Sequence, residues 1–281
     1  MAGCPVNQGS PFNTRMSFEF AIPLPALRPY IKQYWAVENT LEKGGKHTQR
    51  IIPTGLPELV FYFGSRPVSD KRVLEGNSLL NGQQNDYYDL IVTDRLSMFS
   101  VTFQPDGLSH FLKIPLIELQ NQTVFLENIG TSVWRHLEEQ LTEAEDFKAR
   151  VRIVENCFLQ LLANQPMSVG HERMKHAVAQ IRSAKGAVPI DVLASDSCLS
   201  RKQFERTFVS HIGISPKQFL KIIRFQNAIH IKQTSGTSLT ELAYMAGYYD
   251  QSHFINEIKE LTGQTPKKLF GTEEITSDFF L

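Results

Sequence analysis

The chain has 281 residues, equal numbers of basic and acidic side chains (29 each) and three cysteines, and its length suggests two domains. No apolar run approaches the roughly 18 residues that a membrane-spanning helix needs, and the first residues lack the basic and apolar segments of a signal peptide. Cys4, Cys157 and Cys198 lie far apart without a CxxC pair, which argues against a disulfide framework and a thiolate zinc site. We therefore expect a cytoplasmic protein with no membrane contact, no metal and no cofactor.

The net charge of zero hides an uneven distribution along the chain. Residues 1–170 carry 15 Lys or Arg and 18 Asp or Glu, whereas residues 171–270 carry 14 and 8. An excess of basic residues confined to one half of a chain predicts a polyanion partner for that half.

The first half of the chain has the pattern of a β domain followed by helices. Short β-branched and aromatic runs at 18–22, 30–37, 58–63, 90–93 and 98–103 alternate with turn residues, which predicts a β-barrel or sandwich. Helices are predicted at 132–141 and 144–163. The second carries an apolar stripe of Phe147, Val151, Val154, Phe158 and Leu161. That stripe fits either a helix packed on its own β domain or a dimer seam.

Residues 164–170 break the helical pattern and are the predicted linker, so the predicted domains are 1–165 and 171–271. Everything after the linker is predicted to be helical. The predicted fold class is a two-domain α+β protein with an N-terminal β domain and an all-α C-terminal domain.

An internal repeat organises the C-terminal half. Ile190, Leu193 and Ala194 recur 49 positions later as Leu239, Leu242 and Ala243; Phe204, Gly213 and Ser215-Pro216-Lys217 recur 50 positions later as Phe254, Gly263 and Thr265-Pro266-Lys267. Each copy predicts a helix, a tight turn and a second helix capped by Ser200 or Asp250, which is the helix-turn-helix pattern. The intervening segment 215–233 is apolar on two faces, so we expect a helix buried between the two units.

The order of these motifs resembles the AraC-type regulator domain between Met174 and Phe270. The motifs are Leu-Ala, Ser-x-x-x-Phe, Gly-Ile-Ser-Pro, Arg224 with Ala228, the stretch Gly247-Tyr248-Tyr249-Asp250-Gln251-Ser252-His253-Phe254, and Gly-x-Thr-Pro. The resemblance implies seven helices that place two recognition helices in successive major grooves of double-stranded DNA. It also implies a role in transcription, more often activation, with RNA polymerase as a further partner.

The first recognition helix offers cationic side chains to DNA. Phe204 and Phe208 share its buried side, and the resemblance assigns base-facing positions to Lys202, Glu205 and Arg206. Lys and Arg suit guanine, and Glu can accept from cytosine. We expect Ser200 and Arg201 to hold phosphate at the helix start.

The second recognition helix is less basic. Its predicted DNA-contacting residues are Asp250, Gln251, Ser252, Ile255 and Asn256. Asn256 stands where the family usually has Arg, and Glu257 and Glu260 follow it. We therefore expect the first unit to supply most of the affinity for DNA.

The N-terminal half resembles a β-rich, cupin-like sensor domain that often precedes AraC-type domains. The resemblance rests on Leu27-Arg28-Pro29-Tyr30-Ile31, Tyr34-Trp35, Ile52-Pro53-Thr54-Gly55, Glu58-Leu59-Val60-Phe61 and Val101-Thr102-Phe103-Gln104-Pro105-Asp106-Gly107. It implies a small-molecule effector. The candidate effector-binding residues are Trp35, Glu58, Phe61, Phe63 and Phe103, with the alternative that the aromatic ones are simply domain core.

A catalytic role is not expected. The sequence contains no His-x-His, and His47, His110, His136 and His171 have no carboxylate partner at metal-binding spacing. One alternative is a constitutive DNA-binding regulator whose N-terminal domain only dimerises. Another is a DNA-repair alkyltransferase-like enzyme, which would need a nucleophilic cysteine or a cysteine cluster near the start that Cys4 alone does not supply. The operator, the effector, the sign of regulation and homodimer formation stay open.

Overall fold

The computed structural model of the chain describes residues 17–41, 45–72, 74, 76–129, 132–163 and 169–271. Most of the predicted linker, Cys4 and the acidic C-terminal tail lie outside these ranges. Within them, every helix is too short or too polar to cross a bilayer.

The described residues of the first half of the chain form nine strands and three helices. The strands are β1 (Ser17–Ala21), β2 (Ile31–Thr40), β3 (Lys46–Ile51), β4 (Glu58–Tyr62), β5 (Val68–Ser69), β6 (Ser78–Asn81), β7 (Tyr88–Thr93), β8 (Arg95–Phe103) and β9 (Thr123–Phe125). The helices are α1 (Leu108–Phe111), α2 (Ser132–Glu143) and α3 (Phe147–Ala163), with 3-10 turns at Leu116–Leu119 and Leu126–Ile129.

The strands form two antiparallel sheets. Six lie in the order β1-β2-β8-β4-β6-β9 and three in the order β3-β7-β5. No strand pairing among the described residues joins the two sheets, so of the two predicted architectures the sandwich is confirmed and the closed barrel is wrong. The prediction missed β3 because its sequence, KHTQRI, is polar apart from its last residue.

The outer face of the large sheet packs against α2 and α3. Phe147, Val154 and Phe158 of α3 are buried with Phe61, Phe99 and Phe103 of the sheet, and Val151 and Leu161 pack at the edge of the same cluster. The dimer-seam interpretation of this stripe is therefore wrong, because the protein's own sheet covers the stripe.

All regular structure between residues 169 and 271 is helical. The helices are α4 (Val169–Ser183), α5 (Ile190–Asp196), α6 (Arg201–Ile212), α7 (Pro216–Thr234), α8 (Leu239–Met245), α9 (Gln251–Thr262) and α10 (Pro266–Leu269). Both predicted starts of the recognition helices are confirmed, since α6 begins after Ser200 and α9 begins after Asp250.

Helix α7 is the rod at the centre of this half. Its buried residues include Phe219, Ile222, Phe225 and Ile229, which lie on more than one face. It packs against α4, α6, α8 and α9, so it holds the two helix-turn-helix units in fixed positions. Ser215 begins the helix with a reciprocal capping box, as its Ser-Pro start predicted.

Candidate nucleic-acid interface and effector cavity

The first helix-turn-helix unit consists of α5, a turn and α6. The N–H of Leu199 donates to the carbonyl of Ala194 (3.0 Å), and Cys198 adopts a positive φ of 53°, which makes the turn tight. The Ser200 side chain accepts from the N–H of Gln203, and Oε1 of Gln203 accepts from the N–H of Ser200. These two hydrogen bonds fix the start of α6.

The outward face of α6 carries the predicted DNA-contacting residues. Ser200, Arg201, Lys202 and Arg206 are exposed and Glu205 is half-buried, whereas the inner face is apolar. The Arg201 guanidinium pairs with Asp191 and with Glu205, each at 3.1 Å. No ion pair among the described residues involves Lys202 or Arg206, so both cations are available to phosphate or bases.

The first turns of the second recognition helix present mostly uncharged side chains. Gln251, Ser252, Ile255 and Asn256 are exposed on α9. The Asp250 carboxylate accepts from the N–H of His253 (2.7 Å), so this residue is the helix cap. Tyr249, just before the cap, is 87% exposed and was not among the predicted residues. Sequence could have suggested it, since it occupies the turn that leads directly into the recognition helix.

Glu257 does not weaken the DNA-binding surface, contrary to the sequence prediction. Its carboxylate is buried and lies 2.9 Å from Nη2 of Arg224 on α7. The Arg224 guanidinium also donates to the carbonyl of Gly186 (3.3 Å). Glu260 is exposed but pairs with Lys221 at 2.8 Å. The acidic residues of α9 therefore bind α7. The outer face of α9 carries neutral residues in its first turns and the exposed Lys259 in its last turn.

A cavity of about 140 Å³ lies between the two sheets of the sandwich. The side chains that form its walls come from alternate residues of the strands, because successive residues of a strand point to opposite faces. They include Trp35, Val37 and Asn39 of β2, His47, Gln49 and Ile51 of β3, Glu58, Val60 and Tyr62 of β4, Tyr88, Leu90 and Val92 of β7, and Met98 and Thr102 of β8.

Only two of the five candidate effector-binding residues line this cavity. Trp35 and Glu58 do, whereas Phe61 and Phe103 point to the opposite face of the sheet and are buried against the helices. Phe63 follows the end of β4 and packs under the guanidinium of Arg150, 3.8 Å from its ring centroid. These three phenylalanines do not line this cavity. Tyr62 and Tyr88, the aromatic residues that do line the cavity with Trp35, were not predicted.

Glu58 is the polar centre of the cavity. Its Oε1 accepts hydrogen bonds from Nε1 of Trp35 (2.9 Å), Oγ of Ser100 (2.5 Å) and Oγ1 of Thr102 (3.3 Å). Burial raises the pKa of this carboxyl, and these hydrogen bonds oppose the shift. The accessible part of the side chain faces the cavity.

His171 lies beside a carboxylate and a second histidine, which the sequence spacing did not suggest. Nε2 of His171 on α4 lies 3.5 Å from Oδ2 of Asp106, and its ring centroid lies 5.4 Å from that of His110. Burial raises the pKa of Asp106 to about 6 and lowers that of His171 to about 4. No group of three His, Cys, Asp or Glu residues in the described part of the chain could hold a metal ion. The contact instead joins the sandwich to the helical half.

Two family models match the chain. Residues 193–271 match a family described as a helix-turn-helix domain, and residues 19–125 match one described as a domain of unknown function, DUF6597. The first match covers both recognition helices and the rod between them. This part of the chain is an AraC-type helix-turn-helix domain.

Curated transcription regulators are similar to part of the chain. The transcriptional activator RhaS of Escherichia fergusonii is 27% identical over 139 residues, which are 47% of this chain and 50% of RhaS. An uncharacterised helix-turn-helix transcriptional regulator of Haemophilus influenzae is 34% identical over 79 residues, 28% of this chain and 26% of that protein. The chain thus spans half or less of the length of these relatives. The crystal structure of ToxT from Vibrio cholerae aligns with 85% of this chain and 97% of its own, at 10% identity and a TM-score of 0.46.

The loop between β3 and β4 joins the cavity to the AraC-type domain. Ile52 and Thr54 line the cavity, and Ile52 is also buried in the core of the helical half. Nε2 of Gln226 on α7 donates to the carbonyl of Pro53 (2.6 Å). Gly55 approaches the ring of Phe219 so closely that a Cβ there would lie 3.0 Å from it. One side of this loop therefore faces the cavity and the other contacts the rod.

The sandwich also contacts the C-terminal ends of both recognition helices. Gly213, which ends α6, lies against the backbone of Leu116. At the end of α9, Nη1 of Arg50 donates to the carbonyl of Thr262 (3.1 Å) and Tyr87 lies against Gly263. The N-terminal domain thus contacts the rod and both helices that the AraC-type domain would insert into DNA.

Proposed function

We propose that the protein is a sequence-specific regulator of transcription that binds double-stranded DNA through both helix-turn-helix units and responds to a small effector. The observation that carries the proposal is the outward face of the repeated unit. Lys202 and Arg206 on α6, and Gln251 and Asn256 on α9, are exposed while the inner faces of the same helices are fully buried. Paired recognition helices held at a fixed separation suit two half-sites about one helical turn apart.

The contacts between domains support effector response. A ligand in the cavity would touch Ile52 and Thr54, and their loop contacts α7 through Pro53 and Gly55. A shift of this loop would therefore act on the rod that sets the separation of the recognition helices. Such a ligand changes the affinity for DNA only if it binds two arrangements of the domains, one that binds DNA and one that does not, with different affinities.

The alternatives draw less support from the structure. The large sheet covers the apolar stripe of α3. This stripe therefore no longer supports an N-terminal domain that only dimerises. Burial raises the pKa of Cys157 to about 11, and a thiol of that pKa is a poor nucleophile, so Cys157 does not support the alkyltransferase alternative. RNA polymerase contact and homodimer formation stay predictions, as does the cytoplasmic location that a DNA partner favours.

The test is selection of duplexes from a random-sequence pool with the full chain, followed by binding measurements at several salt concentrations. We expect an enriched site with two conserved segments about 10 base pairs apart. We also expect affinity at least about 1,000-fold above that for unrelated duplex, with a steep salt dependence. A pool that returns no common sequence would overturn the proposal.

A further inference from the structure

We propose that the sandwich cavity binds a small organic amine in its protonated form, with the apolar body of the ligand between the sheets and its ammonium group on Glu58. This inference rests on the proposed effector response and names the chemical class of the effector. It follows from which charges line the cavity, how Glu58 is hydrogen-bonded and what surrounds it.

The formal charge of the lining favours a cationic ligand over an anionic one. Glu58 is the one carboxylate among the described lining residues, none of which is Lys or Arg, and His47 is the one imidazole. A ligand carboxylate or phosphate would lose its water beside a carboxyl group, with no permanently charged cation to pair with. An ammonium group, in contrast, favours the ionised form of Glu58 and pairs with it.

The two oxygens of Glu58 are used differently. Oε1 accepts from the indole of Trp35 and the hydroxyls of Ser100 and Thr102, which fixes the carboxylate in one orientation. Oε2 receives no hydrogen bond from the described residues. Because Glu58 lines the cavity, an ammonium group placed there can donate to Oε2 in a charge-assisted hydrogen bond.

The remaining walls suit the body of such a ligand. The rings of Trp35, Tyr62 and Tyr88 line the cavity, and aromatic faces attract cations as well as apolar groups. Aliphatic side chains, among them Val60, Leu90 and Met98, complete the lining. A cavity of roughly this size holds a benzene ring, so the apolar body of the ligand should be no larger than a phenyl ring.

Calorimetric titration of the full chain with three probes of matched size tests the inference. The probes are phenethylamine, which is a cation, 2-phenylethanol, which is neutral, and phenylacetate, which is an anion. We expect phenethylamine to bind at least about tenfold more tightly than 2-phenylethanol, and phenylacetate to bind more weakly than both. Phenylacetate binding as tightly as the amine, or no amine binding up to about 10 mM, would overturn the inference.

Glu58→Gln and Glu38→Gln are the matched variants. Gln keeps an acceptor for Trp35 and removes the charge, so the amine should lose about tenfold in affinity while the alcohol keeps its own. Glu38, on the outer face of β2, pairs with Arg95 and does not line the cavity, so Glu38→Gln should bind the amine as the parent does. Unchanged amine binding in Glu58→Gln would also overturn the inference. If that variant fails to fold, the ranking of the three probes on the parent chain still decides.

Binding of the selected DNA site is measured on the same preparations. If the parent chain binds the DNA site but its affinities for the three probes do not follow the expected order, only the amine inference is contradicted. A parent chain that binds no DNA site contradicts the proposed function, whatever the probes show.

Discussion

At the scale of the residue, the two recognition helices differ in how their polar side chains are used. Lys202 and Arg206 take part in no ion pair among the described residues, whereas Arg201 already pairs with Asp191 and Glu205. The corresponding face of α9 offers amide and hydroxyl groups in its first turns, and its one lysine, Lys259, is exposed only in the last turn. Free cations supply most of the salt-dependent affinity for a duplex, so the two units should contribute unequally.

We expect Lys202→Ala with Arg206→Ala to weaken binding to the selected site more than Gln251→Ala with Asn256→Ala, at one salt concentration. Each lost cation should cost about 1 to 3 kcal/mol of binding free energy. It should also reduce the slope of log K against log salt concentration by about 1. Lys148→Ala is the control, because this exposed lysine lies on α3, the helix that packs against the outer face of the large sheet. A larger loss from the Gln251 and Asn256 pair would show that the second unit dominates.

At the scale of the element, a buried ion pair fixes the second recognition helix to the rod. Arg224 of α7 and Glu257 of α9 form hydrogen bonds of 2.9, 3.1 and 3.3 Å, and His253 also lies 3.0 Å from the Glu257 carboxylate. Their side chains are only 17% and 10% exposed. Removal of one partner from such a pair leaves the other charge buried without compensation.

Arg224→Ala should therefore lower the free energy of unfolding by about 3 kcal/mol in a urea titration. Lys221→Ala is the matched control, because Lys221 also joins α7 to α9 but its partner Glu260 is 63% exposed. An exposed ion pair contributes less than about 1 kcal/mol. Equal losses in the two variants would contradict the assignment of the Arg224 pair as the main polar link between these helices.

The sequence specified the helical elements far better than the cavity, for a physical reason. Ser200, Ser215 and Asp250 are local start signals, and their effect depends on residues three positions away. The partner of Glu257 lies 33 positions away on another helix, so nothing local showed that Glu257 is buried. The sequence could have excluded Phe61 from the cavity. Residues 58 and 61 are three positions apart on one strand, so their side chains point to opposite faces of the sheet.

At the scale of the whole molecule, the sandwich touches the helical half at points far apart in sequence. The β3–β4 loop lies on α7, Leu116 lies at the end of α6, and Tyr87 lies at the end of α9. The Tyr87 ring is held between two cations, with the Arg50 guanidinium 4.6 Å and the Lys71 ammonium 3.8 Å from its centroid. Nothing in the sequence paired these segments, because their contacts depend on how the two halves pack.

A comparison of two glycines distinguishes the effect of this contact between the domains from the effect of backbone strain. Gly263 and Gly247 both have positive φ, 69° and 84°. A Cβ on Gly263 would lie 2.3 Å from Cζ of Tyr87, whereas the nearest heavy atom to a Cβ on Gly247 is Cβ of Ala187 at 3.8 Å. Alanine at either position pays for the left-handed backbone, about 1 kcal/mol, but only alanine at 263 also meets the sandwich.

We therefore expect Gly247→Ala to lower the free energy of unfolding by about 1 kcal/mol, and Gly263→Ala by about 1 to 3 kcal/mol more, because the Tyr87 ring must leave its two cations. Urea titrations of the full chain measure both. In a Tyr87→Ala background the extra cost at 263 should disappear while the cost at 247 stays, since the clash needs the ring. If both glycine substitutions cost the same in either background, the sandwich does not hold the end of α9, and effector response must reach the second recognition helix by α7 alone.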